Sequence, residues 1–466
     1  MSALQVLIVG GSIGGLATAL ALRSQGHHVK IYEQTGVPNS VGAGITVYPN
    51  ALSALQALGV DLAQVRATRV QELIRLRMEE DGTTQSDTFE LDEHTWPWHN
   101  TTYQDLCASL WNALQETKSG CPKIEYYTGR PVYRVDPAKG IVYFVDGSEV
   151  QGDVIIGADG VHSICRSFVF SGKTERFRLK RHVFRAQIPR AALADDSRTC
   201  QFVKQPGQLH AYHHKDKSLL VYPASDGQVI CIKLLYDDRM AIRNLSKDWR
   251  DPASKTKLMR LAEGFPEECF ALVQKIRDRD LLDQPIWDMD PLATFQCHRL
   301  ALVGDAAHPM PPYCGQRIAM ALEDALALGV VLEPGLSPSE VEDRLKLYSR
   351  TRKVRAEAIQ ETIRGLEEIS ICDILNNFDP SPFRHYILDH DEQAHTRQAL
   401  IAWKKQHCVA VVNIPLESTE SAETRRPSAV GSILSFKRHH PSEGLPPRKW
   451  WSVRMKAPKP WSRVFG

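Results

Sequence analysis

Residues 4–33 read LQVLIVGGSIGGLATALALRSQGHHVKIYE, and the period of their apolar residues changes twice. Val6, Leu7, Ile8 and Val9 form an unbroken apolar run, as in a strand covered on both faces of a parallel sheet. Gly10 to Gly15 is a glycine-rich turn, Leu16, Ala19, Leu20 and Leu22 recur on one helix stripe, and Gly26 ends that helix. A second strand alternates through Val29 and Ile31 and stops at Glu33, about 20 residues past the glycines. The whole is a βαβ unit, so the chain is expected to be α/β with a Rossmann-like nucleotide-binding domain. A pyrophosphate favours such a helix N-terminus because unpaired amides and the positive end of the helix dipole face it. Gly10, Ser12, Ile13, Gly14 and Gly15 are therefore the expected phosphate cradle, and Glu33, with Gln34 beside it, the acceptor for ribose hydroxyls. Ser12 stands where the second glycine of such a turn is usual; it is small, and its hydroxyl could bond phosphate directly.

Two further segments repeat the pattern of strand, turn and helix start. In GDVIIGADGVHSICR, residues 152–166, Val154, Ile155 and Ile156 read as a buried strand, with Gly157, Asp159, Gly160, Ser163 and Arg166 in the turn and helix start. In LALVGDAAHPMPPYCGQRIAMALEDA, residues 300–325, Leu300, Leu302 and Val303 lead into Gly304, and Asp305 would project into the crevice at the carboxyl edge of the sheet. Pro309, Pro311 and Pro312 stiffen the loop, and Gly315 opens a helix in which Met320, Ala321 and Asp324 recur.

Three motifs in this order resemble the signatures of class A FAD-dependent aromatic monooxygenases, a family that includes salicylate hydroxylase and dihydroxypyridine hydroxylase. The resemblance covers roughly the first 365 residues and extends to GAGITVYPNA at 42–51, Phe184-Arg185 and Val221-Tyr222-Pro223. It implies a discontinuous FAD-binding domain with an inserted mixed β-sheet substrate domain and C-terminal helices. It implies further that FAD is held by Gly44, Asp159, Gly160, Arg166, Gly304, Asp305, Pro312, Gly315, Arg317 and Ile318 in addition to the first turn. In the family NADH or NADPH docks transiently without a Rossmann domain of its own, and a flavin hydroperoxide passes oxygen from O2 to an aromatic or polycyclic substrate. Two places depart from the family pattern. Many relatives carry a pyrophosphate-supporting arginine near position 103, where this chain reads Asn100-Thr101-Thr102-Tyr103-Gln104-Asp105-Leu106, and most have Gly-Gln-Gly where this chain has Gly315-Gln316-Arg317. Arg317 keeps open a reading in which flavin is bound and turnover lost; a flavin oxidase or dehydrogenase on the same fold is another. A halogenase is disfavoured, because Trp96-Pro97-Trp98 lacks the spacing and surroundings of that motif.

The 466 residues, 43% apolar and 24% charged, suffice for two cores, and a formal charge of +2 gives no ground for nucleic-acid binding. Ten cysteines lack CxxC or metal-ligand spacing and read as reduced thiols, so no metal is expected. No apolar run approaches the roughly 18 residues of a spanning helix, and the first strand begins at about residue 4, so a cytoplasmic enzyme is expected. FAD-binding segments are expected at 1–70, 100–170 and 290–365, the substrate domain at 71–99 and 175–289, and helices at 340–410, with Leu345, Tyr348, Ile359, Ile363, Leu366 and Ile369 at helical spacing. Residues 417–466 read as a disordered tail. From Arg425 it carries ten Lys and Arg against Glu443 alone, with Trp450, Trp451 and Trp461 among them, which also suits weak contact with an anionic membrane surface.

A phenolic substrate reacts better as phenolate, which calls for a base within hydrogen-bond reach. His210, His213, His214 and Tyr222 on the insert are candidates, and His213 is preferred because alternation through Leu209 and Ala211 sets it on one face of a strand that also alternates in the neighbouring runs Val183–Arg185 and Ile230, Ile232, Leu234. Arg185 and Tyr222 are the further candidates for contact with the reacting molecule. His308 and Pro309 are assigned to shaping the loop, and Pro312 and Tyr313 to the neighbourhood of the flavin ring.

Overall fold

The computed structural model describes residues 3–36, 44–79, 81–91, 98–116, 120–170, 176–237, 253–312, 315–365 and 384–412. Tyr313, Trp96, Pro97, Leu366, Ile369 and the tail at 417–466 lie outside them. The expected βαβ unit is β1 (Gln5–Val9), α1 (Ile13–Ser24) and β2 (His28–Tyr32). β1 lies inside a six-stranded sheet ordered Gln296–Cys297, Leu300–Leu302, Val154–Gly157, β1, β2, Glu125–Tyr127, parallel except at the Gln296–Cys297 edge. Val6 pairs with Val154 on one side and Val29 on the other, so the continuous apolar runs are those buried on both faces. The α1 stripe is wider than its sequence implies, since every residue from Ile13 to Arg23 is buried. The cause is tertiary: helices Tyr103–Gln115 and Gln316–Val331 pack on α1 and cover the face that would otherwise meet water.

The second sheet has seven strands, ordered Leu282–Met289, Arg176–Pro189, Val229–Asp237, Lys217–Ala224, Gln208–His214, Glu72–Met78 and Thr84–Glu90. It is mixed: all neighbours are antiparallel except Gln208–His214 beside Glu72–Met78. One face packs on helices Lys255–Leu261 and Glu267–Gln274 through Phe184, Tyr212 and Leu234. The opposite face, carrying Tyr222 and Cys231, turns toward the parallel sheet.

Helices Gln316–Val331, Val341–Gly365 and Glu392–Val412 are joined by buried charge. Arg352 is fully buried; its Nε donates to Asp324 at 2.8 Å, and its Nη1 pairs with Glu323 at 3.0 Å and with Glu392. Arg355 forks onto Glu323 at 2.7 and 2.8 Å. Asp324 also accepts the Gly304 amide at 2.8 Å and contacts His308 Nε2 at 2.7 Å, so the network ends on the turn that follows the Leu300–Leu302 strand. Glu323, His390 and Glu392 come close enough to suggest a cation, but Arg352 and Arg355 already neutralise those oxygens.

Candidate active site

Three turns at the carboxyl edge of the parallel sheet and the inner face of the seven-stranded sheet enclose a cavity of about 720 Å³. Ser12, Ile13 and Gly14 line one end with Gln34. Gly10, at φ 105°, and Gly15 stand just behind: a Cβ on Gly10 would fall 2.5 Å from the Ala158 carbonyl oxygen, and one on Gly15 2.1 Å from that of Gly10. These two positions bring the first turn against the second. Ser12 caps α1; its Oγ accepts the Gly15 amide at 3.4 Å and donates to the Ala158 carbonyl at 3.0 Å, so its hydroxyl proton is committed to the protein rather than offered to phosphate. Glu33 sits at the end of β2, outside the lining; one oxygen accepts the Gly11 amide at 2.7 Å and the other the Thr35 amide at 2.9 Å. A carboxylate has about four lone-pair sites, so further acceptance remains open.

In the second turn Asp159 and Gly160 line the cavity. The Asp159 carboxylate accepts Ser163 Oγ at 2.6 Å and the amides of Ile164 and Cys165 at 2.7 and 3.0 Å, an Asx-type cap. Arg166 does not reach the cavity. It is buried behind the wall, where its guanidinium donates to the carbonyls of Gly160 and Val161 on its own turn and of Asp305 and Ala306 on the third. It fastens the two turns together instead of touching what they hold.

Gly304, Asp305, Pro312 and Ile318 line the third side, below the helix that Gly315 opens at φ 63°. Arg317 is the second residue of that helix, is absent from the residues with positive φ, and pairs with Asp305, Nε to Oδ1 at 3.2 Å. No glycine backbone is required at 317, and the side chain has room. Burial opposes its charge and Asp305 more than restores it, so its pKa is raised. Tyr103, in place of the family arginine, lines the cavity with its hydroxyl among Cys107, Glu33 and the Ile13 amide; burial pushes that phenol well above its usual range.

The roof carries cations. Arg185 and Lys233 are cross-strand neighbours, both line the cavity, and among the described residues neither has a carboxylate partner. Burial, with Arg317 adding like-charge repulsion, brings Arg185 down to about 10. Burial, with Arg185 adding repulsion, brings Lys233 down to about 7. Tyr222 lies beside them behind Gly44, its hydroxyl buried without a hydrogen-bond partner among the described residues and, through burial, ionising well above 10; the Lys233 Nζ stands 5.1 Å from its ring centre. His213 shares this face, as the alternation indicates, but contacts Ser218 Oγ at 2.9 Å and does not line the cavity. His210 faces the other way against Phe202, and burial lowers its pKa to about 4. His308 is buried against Asp324, and Pro309 lines the cavity. Lys233, His162 and Trp287 were not among the sequence candidates. Lys233 could have been: Ile230, Ile232 and Leu234 mark one face of VICIKLLYD, which sets Cys231 and Lys233 on the other.

One cleft thus joins a glycine cradle against a helix start at one end to basic side chains under a sheet at the other, the layout of a flavoenzyme. The residues present fit FAD: the Gly10–Gly15 approach leaves no space for side chains between the turns, and Asp159, Gly304 and Asp305 face the same cavity. The chain belongs to the FAD binding domain family, whose profile matches residues 3–362, and it is an FAD-dependent monooxygenase. Among curated relatives, hispidin-3-hydroxylase of Neonothopanus nambi is 30% identical over 373 residues, 77% of this chain and 87% of that protein. A 3-hydroxybenzoate 6-hydroxylase of Klebsiella oxytoca is 31% identical over 346 residues, 71% of this chain and 80% of the relative. Among solved structures, CtdE in complex with FAD and a substrate shares the fold at TM-score 0.74, with 19% identity over 88% of this chain and 100% of that one. A salicylate hydroxylase substrate complex does so at 0.66, with 24% identity over 85% and 98%. No helix among the described residues is long and apolar enough to cross a membrane.

Proposed function

We propose that this enzyme hydroxylates a small aromatic or polycyclic compound bearing an ionisable hydroxyl, with NADH or NADPH as electron donor and O2 as the oxygen source. The observation that carries the reading is Arg185, a cationic side chain that lines the cavity beside the basic Lys233 and has no carboxylate partner among the described residues. A buried charge without a partner is costly, and a ligand oxyanion removes that cost. The names of two relatives, which specify hispidin and 3-hydroxybenzoate, support an oxygenated ring as substrate.

When bound, FAD takes hydride from the nicotinamide donor and delivers one atom of O2 to the substrate. The chain's own residues bind, orient and exclude water. The helix-start amides after Ser12 receive the pyrophosphate, and Glu33 the ribose. Asp159, Gly160, Gly304 and Asp305 hold the middle of the cofactor, with Arg166 positioning their turns. The start of the Gln316–Val331 helix, with the Gly315 and Ile318 amides and Pro312 as an apolar wall, would receive the electron-rich ring system. Arg185 orients the substrate from above, while Trp287 and Leu282 help wall the chamber from water. The test is direct: purified protein should show a flavin spectrum, and a phenolic substrate should stimulate NAD(P)H oxidation and yield a product one oxygen atom heavier. Flavin bound but inert across a broad phenol panel would remove the proposal.

A further inference from the structure

Lys233 has a chemical setting the proposed reaction has not yet used. Its strand, Val229–Asp237, is otherwise apolar except at its final residue, and its side chain leaves the sheet on the cavity side. Arg185 lies opposite on the Arg176–Pro189 strand, Tyr222 on the Lys217–Ala224 strand presents its ring, and Cys231 precedes it on its own strand. Arg317, paired with Asp305, faces Arg185 across the cavity. The two carboxylates of this set, Asp305 and the Asp105 that acts on Cys231, are taken by Arg317 and Arg66, and both the Cys231 thiol, raised to about 12 by burial, and the Tyr222 phenol stay protonated. Among the described residues none of these groups is therefore available to neutralise an ammonium at Lys233, while Arg185 repels one.

Resting on the hydroxylase reading, we infer that Lys233 is the base that removes the substrate's hydroxyl proton: the unprotonated Nζ accepts it, an O–H bond breaks as an N–H bond forms, and the resulting oxyanion is held between Lys233 and Arg185. The transfer exchanges a lone buried cation for a triad of two cations around one anion, and the ammonium so formed keeps the Tyr222 ring face. Burial, with Arg185 adding repulsion, brings Lys233 down to about 7, so an unprotonated fraction that can accept a proton is present at physiological pH. A phenol titrates near 10 in water, and the Arg185 cation beside it lowers that value toward the amine's. His213, expected to fill this role from the sequence, is outside the cavity.

Two measurements on the FAD-loaded enzyme test the inference. Acetic anhydride labelling across pH 5–10, read peptide by peptide in a mass spectrometer, gives the titration curve of Lys233 without any substrate. A midpoint within about one unit of 7 is expected, against about 10.4 for surface lysines; a midpoint above 9 overturns the inference. Second, 4-nitrophenol is bound at pH 6 and its phenolate band near 400 nm is followed by difference spectra. Wild type should hold it mainly as phenolate and Lys233→Met mainly as phenol, with flavin absorbance confirming that the variant is folded. Lys233→Arg, always charged, should bind added phenolate but lose the rise of hydroxylation rate with pH through about 7. Equal ionisation of the probe in wild type and Lys233→Met overturns the assignment while leaving the hydroxylase reading intact; that reading fails separately if no phenol is oxygenated.

Discussion

Replacing Arg352 by methionine should destabilise the protein by an amount that can be worked out from its neighbours. The side chain is fully buried and serves Asp324, Glu323 and Glu392. Methionine fills similar space but leaves three carboxylates, each with a remaining partner: Arg355 for Glu323, His308 for Asp324 and His390 for Glu392. Breaking a buried ion pair from one side costs about 3–5 kcal/mol, and the remaining partners set the expectation at the lower end, about 3.5 kcal/mol. With an unfolding entropy of about 2.1 cal/mol/K per residue over the roughly 350 described residues, this lowers Tm by about 5 °C. Burial acts against the charge on Glu323 and Asp324, and the surrounding cations overcome it, so both folded-state pKa values are depressed. Depressed carboxylates contribute stability above their unfolded values, near 4, and lose it as pH falls through the folded values. The difference between wild type and variant should thus be full at pH 7.5 and narrow below about pH 4. Scanning calorimetry of wild type, Arg352→Met and Arg350→Met is the assay; Arg350 is exposed on the same helix and should cost under about 0.5 kcal/mol. Equal melting temperatures for the two variants at pH 7.5 would refute the reasoning.

Arg317→Gly removes a partly exposed pair with Asp305, side chains 34% and 20% accessible, so FAD affinity should change by no more than about fivefold, roughly 1 kcal/mol, in flavin fluorescence titration; recovery of activity from near zero would show instead that Arg317 impairs the natural enzyme. Gly15→Ala forces a Cβ onto the Gly10 carbonyl, a clash costing about 1–3 kcal/mol, and flavin should be lost on gel filtration; retention of a full flavin spectrum contradicts this. His213→Ala should leave kcat within about twofold and lower stability by about 1 kcal/mol through the lost Ser218 contact; a large fall in oxygen transfer at unchanged Tm would restore it as the base.

What the sequence disclosed divides along the range of the forces involved. The unit β1–α1–β2 was legible because an apolar run, a glycine turn and a helix stripe are short-range signals. Which face His213 occupies was also legible from alternation. Its distance from the cavity was not, because the Gln208–His214 strand is separated from the Val229–Asp237 strand by another, an order fixed only when the sheet assembles. Lys233 acquires its character from burial beneath the assembled sheet and then from Arg185, 48 positions earlier, and the Arg352 network joins three helices. Neither has a local signature. Arg317 looked like damage to a motif because a glycine there suggests positive φ; the left-handed residue is Gly315, two positions earlier.

The strand order also fixes when this protein can finish folding as it leaves the ribosome. β1 waits for Val154–Gly157, and that strand has an open apolar edge until Leu300–Leu302 arrives. At about 5–20 residues per second, the roughly 145 residues between those two strands take roughly 7–30 s. Throughout that interval the nascent chain presents Val154, Ile155 and Ile156 as an uncapped strand edge, a template for pairing with another chain. Slower growth, lower temperature and early chaperone engagement should therefore raise the yield of recombinant protein more than added riboflavin does, since a complete cleft must exist before any cofactor can enter it.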